Sequence, residues 1–288
     1  MMCSDLPEAR IRALIQLAFS EDLGTLGDIT SLSTLHDSAK GSAGLILKDE
    51  GVIAGLPLLQ PICNYIDPAI QITVHAEDGQ SLSSMDLMAE FRGNLQSILI
   101  CERTVLNFLQ RLSGIATMTR KFVEAVSHTR TRILDTRKTT PGFRLLEKYA
   151  VRQGGGMNHR TGLFDMVLIK DNHIDANGGV GKAISRCVEY LERSKLSVPI
   201  EVETRNFEEV KEAVRFPVQR IMLDNMTPGQ MAEAVRFIDG RAETEASGNI
   251  GIETVGEVAE TGVDFISVGA LTHSVQSLDM TMRVDSRA

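Results

Sequence analysis

The sequence predicts an α/β protein: a parallel sheet with crossover helices after about residue 130, preceded by an α+β segment. Three observations support this. From Arg132 onward, short β-branched runs alternate with amphipathic helical stretches, the pattern of parallel strands joined by right-handed crossovers. Before Arg132, strand-like and helix-like stretches occur without that alternation. The composition is that of a folded chain: 288 residues, 43% hydrophobic and 24% charged, enough for a large core in one or two domains. A disordered chain would be poorer in apolar residues. The 24 Gly and 8 Pro keep no fixed period, so a collagen-like chain is excluded. No apolar run approaches the ~18 residues of a membrane span.

The first third is read element by element. Pro7 opens a helix with Ile11, Leu14, Ile15 and Ala18 on one face, and Pro suits a first turn. Ala43–Leu47 and Val52–Ala54 are β-rich, separated by the turn-forming Asp49-Glu50-Gly51. Ile70 to His75 alternates β-branched residues and ends at the turn signal Glu77-Asp78-Gly79. Residues 95–112 and 115–127 read as two long helices. In the remainder, strands are expected to begin near Arg132, Asp165, Pro199, Arg220, Ala242 and Phe265. Helices are expected near 142–153, 179–194, 207–215, 228–237 and 252–261, with Thr227-Pro228 as one start and Gly262 as one stop. Six such units form either an open doubly wound sheet or a barrel, and periodicity does not choose between them.

Charge and targeting signals narrow the function. Met1 to Pro7 has neither a basic n-region nor an apolar h-region, so no signal peptide is expected. Cys3 stands too early for a lipoprotein cleavage site. Cys3, Cys63, Cys101 and Cys187 form no CxxC pair, and read as reduced thiols in a cytoplasmic protein. The net charge of −8 argues against general nucleic-acid binding. Yet residues 137–170 hold seven Lys or Arg and only two acids, a local charge of +5. A cationic cluster of this kind suits a small polyanion.

The polar residues concentrate at the carboxyl ends of the expected strands, where either architecture places its active site. The first strand runs into Arg137 and Lys138, an anion site or else a solvated loop. The second is preceded by Gly154-Gly155-Gly156-Met157-Asn158-His159-Arg160 and ends at Lys170. The glycines cap the helix ending near Gln153, admit a ligand close to the backbone, or both. His159 adds a donor that charges near neutral pH. Glu201 and Glu203 share one face of the third strand, and Asp224 ends the fourth. Such carboxylates suggest Mg²⁺, though ion pairing with nearby cations and glycosidase-type acid/base chemistry are alternatives. Ser247-Gly248-Asn249 and Gly269-Ala270, with His273, end the last two strands, where free backbone N–H groups bind phosphate.

These segments, taken with Glu102-Arg103-Thr104-Val105-Leu106-Asn107, resemble the motif series of the quinolinate phosphoribosyltransferases. That family is also called carboxylating nicotinate-nucleotide pyrophosphorylase. The matching segments are Asp135-Thr136-Arg137-Lys138-Thr139-Thr140-Pro141-Gly142, Gly154 to Arg160, Lys170-Asp171-Asn172-His173, Glu201-Val202-Glu203, Leu223-Asp224-Asn225, Ala246 to Ile250 and Val268 to His273. Asn249 replaces a second Gly found in many relatives, which leaves its backbone N–H available.

The resemblance implies an N-terminal α+β sandwich over 1–112, with the tail 274–288 packed on it, and an incomplete six-stranded α/β barrel over 113–273. It implies a homodimer with shared active sites, the partner's Arg103 entering each one, with larger assemblies left open. It implies transfer of phosphoribosyl from phosphoribosyl pyrophosphate to quinolinate, giving nicotinate mononucleotide, pyrophosphate and CO₂, with Mg²⁺. Arg103, Arg137, His159, Arg160 and Lys170 would bind quinolinate, and Lys138 the pyrophosphate. Glu203 and Asp224 would serve the ribose and hold Mg²⁺ directly or through water or substrate. Lys138, Glu203 and Asp224 would be the catalytic groups. Ser247, Gly248, Asn249, Gly269, Ala270 and His273 would bind the 5′-phosphate. His173 reads as structural. Two other functions remain: a phosphoribosyltransferase for another acid, and a non-catalytic protein that binds a phosphorylated metabolite on the same scaffold. Neither a nucleic acid nor a membrane is an expected partner.

Overall fold

A computed structural model describes residues 7–285; Met1 to Leu6, with Cys3, and the tail beyond 285 lie outside the described residues. The chain divides into two compact units. The first comprises residues up to 118, 141–155 and the segment from 275; the second comprises 119–140 and 156–274.

The first unit begins with α1 (Glu8–Leu23) and α2 (Ile29–Thr34). Ile11, Ile15 and Phe19 form the buried stripe of α1. Asp28 caps α2, its carboxylate accepting the Thr30 and Ser31 N–H groups. The chain continues through β1 (Lys40–Leu47), β2 (Gly51–Val52), α3 (Leu59–Ile66), β3 (Gln71–Val74), β4 (Ser81–Leu82) and β5 (Leu87–Asn94). Next comes α4 (Leu95–Ala125), a single helix where two are expected. Gly114 reads as a break, but a Cβ there would lie 2.2 Å from the Gln276 carbonyl oxygen. The glycine therefore permits close approach of another segment within an unbroken helix.

The antiparallel sheet has the order β12-β1-β5-β3, with β12 (Met280–Val284) arriving from the far end of the chain. β2 pairs with β4, so the turn at 49–51 joins strands of different sheets. α5 (Arg144–Gln153) also packs in this unit, where Arg111 pairs with the buried Glu147 and Tyr149 donates to Asp78. Gly154 caps α5 and Gly155 follows with φ of 93°, so the glycine run does terminate the helix.

The second unit is built on β6 (Arg132–Leu134), β7 (Val167–Ile169), β8 (Ile200–Thr204), β9 (Arg220–Asp224), β10 (Glu243–Ser247) and β11 (Phe265–Ser267). All are parallel, in the order β6-β11-β10-β9-β8-β7. Apart from β6, each strand lies beside its sequence neighbour, so the sheet never reverses direction as a doubly wound sheet does. The first strand lies beside the sixth. Between β6 and β7 the described residues show only one bridge, Leu134 to Met157. This is a six-stranded barrel left open at one seam, and with the antiparallel unit it makes an α/β protein.

Helices α6 (Asp171–Asn177), α7 (Val180–Ser194), α8 (Phe207–Ala213), α9 (Pro228–Ile238), α10 (Val255–Glu260) and α11 (Ala270–His273) complete the unit. Thr227 and Gln230 form a capping box at the start of α9, with Pro228 in the first turn. The pairing registers put Val202, Ile221, Ala246 and Ile266 on one face of the sheet, where all are buried. The opposite face carries Glu201, Glu203, Arg220, Met222, Asp224, Glu245, Ser247 and Ser267. That face is polar, where barrels of this class usually pack branched apolar residues.

Candidate active site

At the carboxyl ends of the six strands lies a cavity of about 750 Å³, lined entirely by the second unit. Every residue expected in the site lines it except Arg103, which belongs to α4 in the first unit. Arg137 and Lys138 follow β6, and Arg160 and Lys170 flank β7. Of the seven clustered cations only these four line the cavity. Arg144, Lys148 and Arg152 belong to α5, because the sequence between the two strands turns back into the first unit. Asp171, Glu203, Asp224 and Glu245 also line the cavity, so four carboxylates offset the four cations. Charge of both signs suits a substrate with anionic groups and a centre that becomes positive.

Local bonds hold the cationic side in place. The buried Asp135 carboxylate accepts the Asn158 side-chain amide at 2.6 Å and the His159 N–H at 2.8 Å, tying the segment after β6 to the one before β7. The Lys138 carbonyl accepts the Thr272 hydroxyl at 2.8 Å. Arg160 donates to the Met166 carbonyl at 3.2 Å. Burial, and then the neighbouring Arg137 charge, weaken Arg160's hold on its proton. The Arg137 Nε is buried without a hydrogen-bond partner. Two adjacent guanidiniums, one with an unmet donor, form a site that an anion would complete.

On the acidic side, Lys170 reaches Glu203 at 3.2 Å, so ion pairing and cavity lining coexist. The Asn225 side chain donates to Asp224 at 2.7 Å and accepts from Asn249 at 3.2 Å. It thereby links the end of β9 to the loop after β10. Gly248 has φ of 98°, and a Cβ there would lie 2.2 Å from the Asn225 Oδ1. Only glycine fits this loop without moving Asn225. His273 accompanies Gly269 and Ala270 in the cavity wall. His173 is not among the lining residues; its Nδ1 accepts the Lys170 N–H at 2.9 Å in the cap of α6.

His159 lines the cavity but is 8% exposed, and both ring nitrogens meet protein groups. Nδ1 accepts the Arg160 N–H at 2.7 Å. Nε2 lies 3.0 Å from Glu201 and 3.5 Å from Glu245, both fully buried. Burial alone would lower the proton affinity of the ring, but the bonds and charges of Glu201 and Glu245 outweigh it and raise its pKa to about 9. Glu201 is raised as well, by burial and by the charge of Glu245. Burial would raise Glu245 too, but the bond and charge of His159, and then the Arg220 charge, lower it. The sequence reading passed over Glu245, Ser267 and Met222 as lining residues. Their signal was the period-two alternation already applied to Glu201 and Glu203, counted back from Ser247, Gly269 and Asp224.

Comparison with known proteins places this geometry in context. Residues 115–283 match the family model described as quinolinate phosphoribosyl transferase, C-terminal domain, and residues 28–113 match the N-terminal domain of the same family. The chain is 45% identical over 295 residues to a mitochondrial quinolinate phosphoribosyltransferase [decarboxylating] of Nicotiana glauca, covering 97% of this chain and 84% of the relative. It is 46% identical over 275 residues to a probable nicotinate-nucleotide pyrophosphorylase [carboxylating] of Synechocystis, covering 94% of this chain and 91% of the relative. The solved nicotinate-nucleotide pyrophosphorylase of Francisella tularensis superposes with a TM-score of 0.93 at 40% identity, covering 98% of both chains.

Proposed function

The chain belongs to the quinolinate phosphoribosyl transferase family, and from that premise we propose that its barrel cavity joins quinolinate to phosphoribosyl pyrophosphate. The products are nicotinate mononucleotide, pyrophosphate and CO₂, a step of NAD biosynthesis. The observation that carries this reading is the Arg137–Arg160 pair, a dianion site in the same cavity as Glu203 and Asp224.

Arg137, Arg160 and Lys170, with Arg103 of a second chain, hold the two carboxylates of quinolinate, with His159 adjacent. Lys138 stabilises charge on the departing pyrophosphate. Ser247, Gly248, Asn249, Gly269, Ala270 and His273 take the 5′-phosphate. As pyrophosphate leaves, ribose becomes oxocarbenium-like, and Glu203 and Asp224 stabilise it while the pyridine nitrogen attacks C1. The positive charge of the new pyridinium nitrogen then stabilises the electron pair left on C2 when the ring's C2–carboxylate bond breaks. CO₂ departs and C2 takes up a proton. No covalent enzyme intermediate is required, and orientation alone supplies up to about 7–11 kcal/mol. The carboxylate oxygens of Glu203 and Asp224 are hard donors in a cavity without thiols, a set that fits Mg²⁺. When bound there, directly or through water or substrate, the ion supplies charge neutralisation to the pyrophosphate.

The same reading includes a homodimer that completes each site with Arg103, and a cytoplasmic location. The free thiols Cys63, Cys101 and Cys187 support the location. Among the described residues no helix is long and apolar enough to cross a membrane. The deciding assay incubates the protein with phosphoribosyl pyrophosphate, Mg²⁺ and either quinolinate or nicotinate. Nicotinate mononucleotide and stoichiometric CO₂ from quinolinate are expected. Equal turnover of nicotinate, or none of quinolinate, would refute the reading.

A further inference from the structure

Asp224 ends β9 in the cavity wall, and among the described residues its carboxylate has a single hydrogen-bond partner, the Asn225 amide at 2.7 Å. Glu203, by contrast, is held by Lys170 at 3.2 Å. The direction of Asp224 therefore depends on what holds Asn225. Three contacts do so, and all come from the chain at the end of β10. The Asn225 N–H donates to the Ser247 carbonyl at 2.9 Å. Its Oδ1 accepts the Asn249 amide at 3.2 Å. Gly248 comes so close that a Cβ there would lie 2.2 Å from the same Oδ1. Asn225 and Asn249 both have φ of 53°, in the left-handed region that asparagine tolerates better than most side chains. The amide cannot be turned over, because its oxygen would then face a carboxylate, which offers no proton. One side chain thus has its acceptor in the loop assigned to the 5′-phosphate and its donor on a carboxylate assigned to the ribose.

We propose that Asn225 is a positioning residue that carries the order of the phosphate loop to Asp224, so that the loop seating the 5′-phosphate also aims the carboxylate at the ribose. This rests on the function assigned above. A phosphate on Ser247, Gly248 and Asn249 restrains Asn225, and Asn225 restrains Asp224. The ribose then meets a carboxylate already oriented, which removes an ordering cost from its binding. Asn225 itself needs no contact with the sugar.

Calorimetry with two probes reads this without turnover. Inorganic phosphate takes the loop alone, while ribose 5-phosphate also reaches Asp224, so the ratio of their dissociation constants is the ribose advantage. Asn225→Gly removes the amide, and glycine adopts the left-handed φ without strain. The ribose 5-phosphate Kd should rise about fivefold or more, with the inorganic phosphate Kd within about twofold of the parent. Beside Asp224→Ala, Asn225→Gly should change neither constant by more than about twofold, because the carboxylate it aims is gone. Asn249→Gly keeps the backbone N–H and the left-handed φ. It should lower the ribose advantage about two- to threefold in the parent and leave it unchanged beside Asn225→Gly. An equal loss for both probes would mean loop support alone, and a further loss beside Asp224→Ala would mean that Asn225 touches the sugar; either overturns the proposal. A parent protein that shows the ribose advantage, with an Asn225→Gly variant that keeps it, refutes the proposal and leaves the assigned function standing. A parent protein with no ribose advantage refutes the ribose assignment, and the proposal with it.

Discussion

At the scale of single residues, the two guanidiniums of the cavity differ in how they are held. Arg137 has an unmet Nε, while its neighbour Arg160 is tied to Met166 and to His159. Arg137→Ala should therefore raise the quinolinate KM by the value of a charge-assisted bond, about 1.5–3 kcal/mol or roughly 10–150-fold. Binding of phosphoribosyl pyrophosphate, followed by calorimetry, should change far less. The histidine below them gives a second expectation. The raised pKa of His159, about 9, means that its stabilising contribution is complete below the ordinary histidine value of about 6.5. It is lost as pH rises through about 9. Thermal midpoints from pH 7 to 10 should fall more steeply for the parent than for His159→Gln, and parallel slopes would contradict this. Residues at strand ends were legible because the position itself marks a site. Asn225 was not, because its role depends on Asp224, Asn249 and Gly248 meeting in space.

At the scale of elements, local signals worked where one segment decides its own conformation. Thr227, Pro228 and Gln230 start α9 as the sequence indicates. All six parallel strands begin within about two residues of their expected positions, since each is an apolar run between helical stretches. β5 and β12 went unseen. Their Glu90, Arg92 and Arg283 interrupt any apolar pattern, and antiparallel pairing with distant partners supplies what local propensity does not. The two expected helices at 95–127 failed for a related reason: Gly114 obeys a packing requirement rather than a local one. In an isolated helix Gly114→Ala would stabilise by about 1 kcal/mol. Here the added Cβ meets the Gln276 carbonyl at 2.2 Å, so the variant should be destabilised by about 1–3 kcal/mol. A thermal melt reads the sign directly.

At the scale of the whole molecule, strand order was the part least legible in the sequence. Alternating strands and helices indicate a parallel sheet, but which strands are neighbours depends on pairings between residues far apart, such as Ile133 with Ile266. The homodimer belongs to this scale too. If each site borrows Arg103 from a second chain, Arg103→Ala and Arg137→Ala proteins should each retain only a few per cent of activity at quinolinate concentrations well below the parental KM. Mixed under exchange, they should regain up to about a quarter of parental activity, because half of the sites in each mixed dimer are intact. No recovery from chains shown to exchange would mean that each chain builds its own site.

The open seam of the barrel has a consequence for how the cavity measures its substrates. Glu203, Asp224 and Ser247 lie at the carboxyl ends of three adjacent strands, so a continuous hydrogen-bond ladder, with strands about 4.8 Å apart, fixes their separations like marks on a ruler. Arg137 and Lys138 stand on one lip of the seam, Arg160 and Lys170 on the other, and the Leu134–Met157 bridge and the bonds of Asp135 to Asn158 and His159 span it in place of a strand ladder. Their separation is set by loops, like the jaws of a calliper. The acidic side offers a fixed spacing, while the cationic side can change its span without breaking a strand.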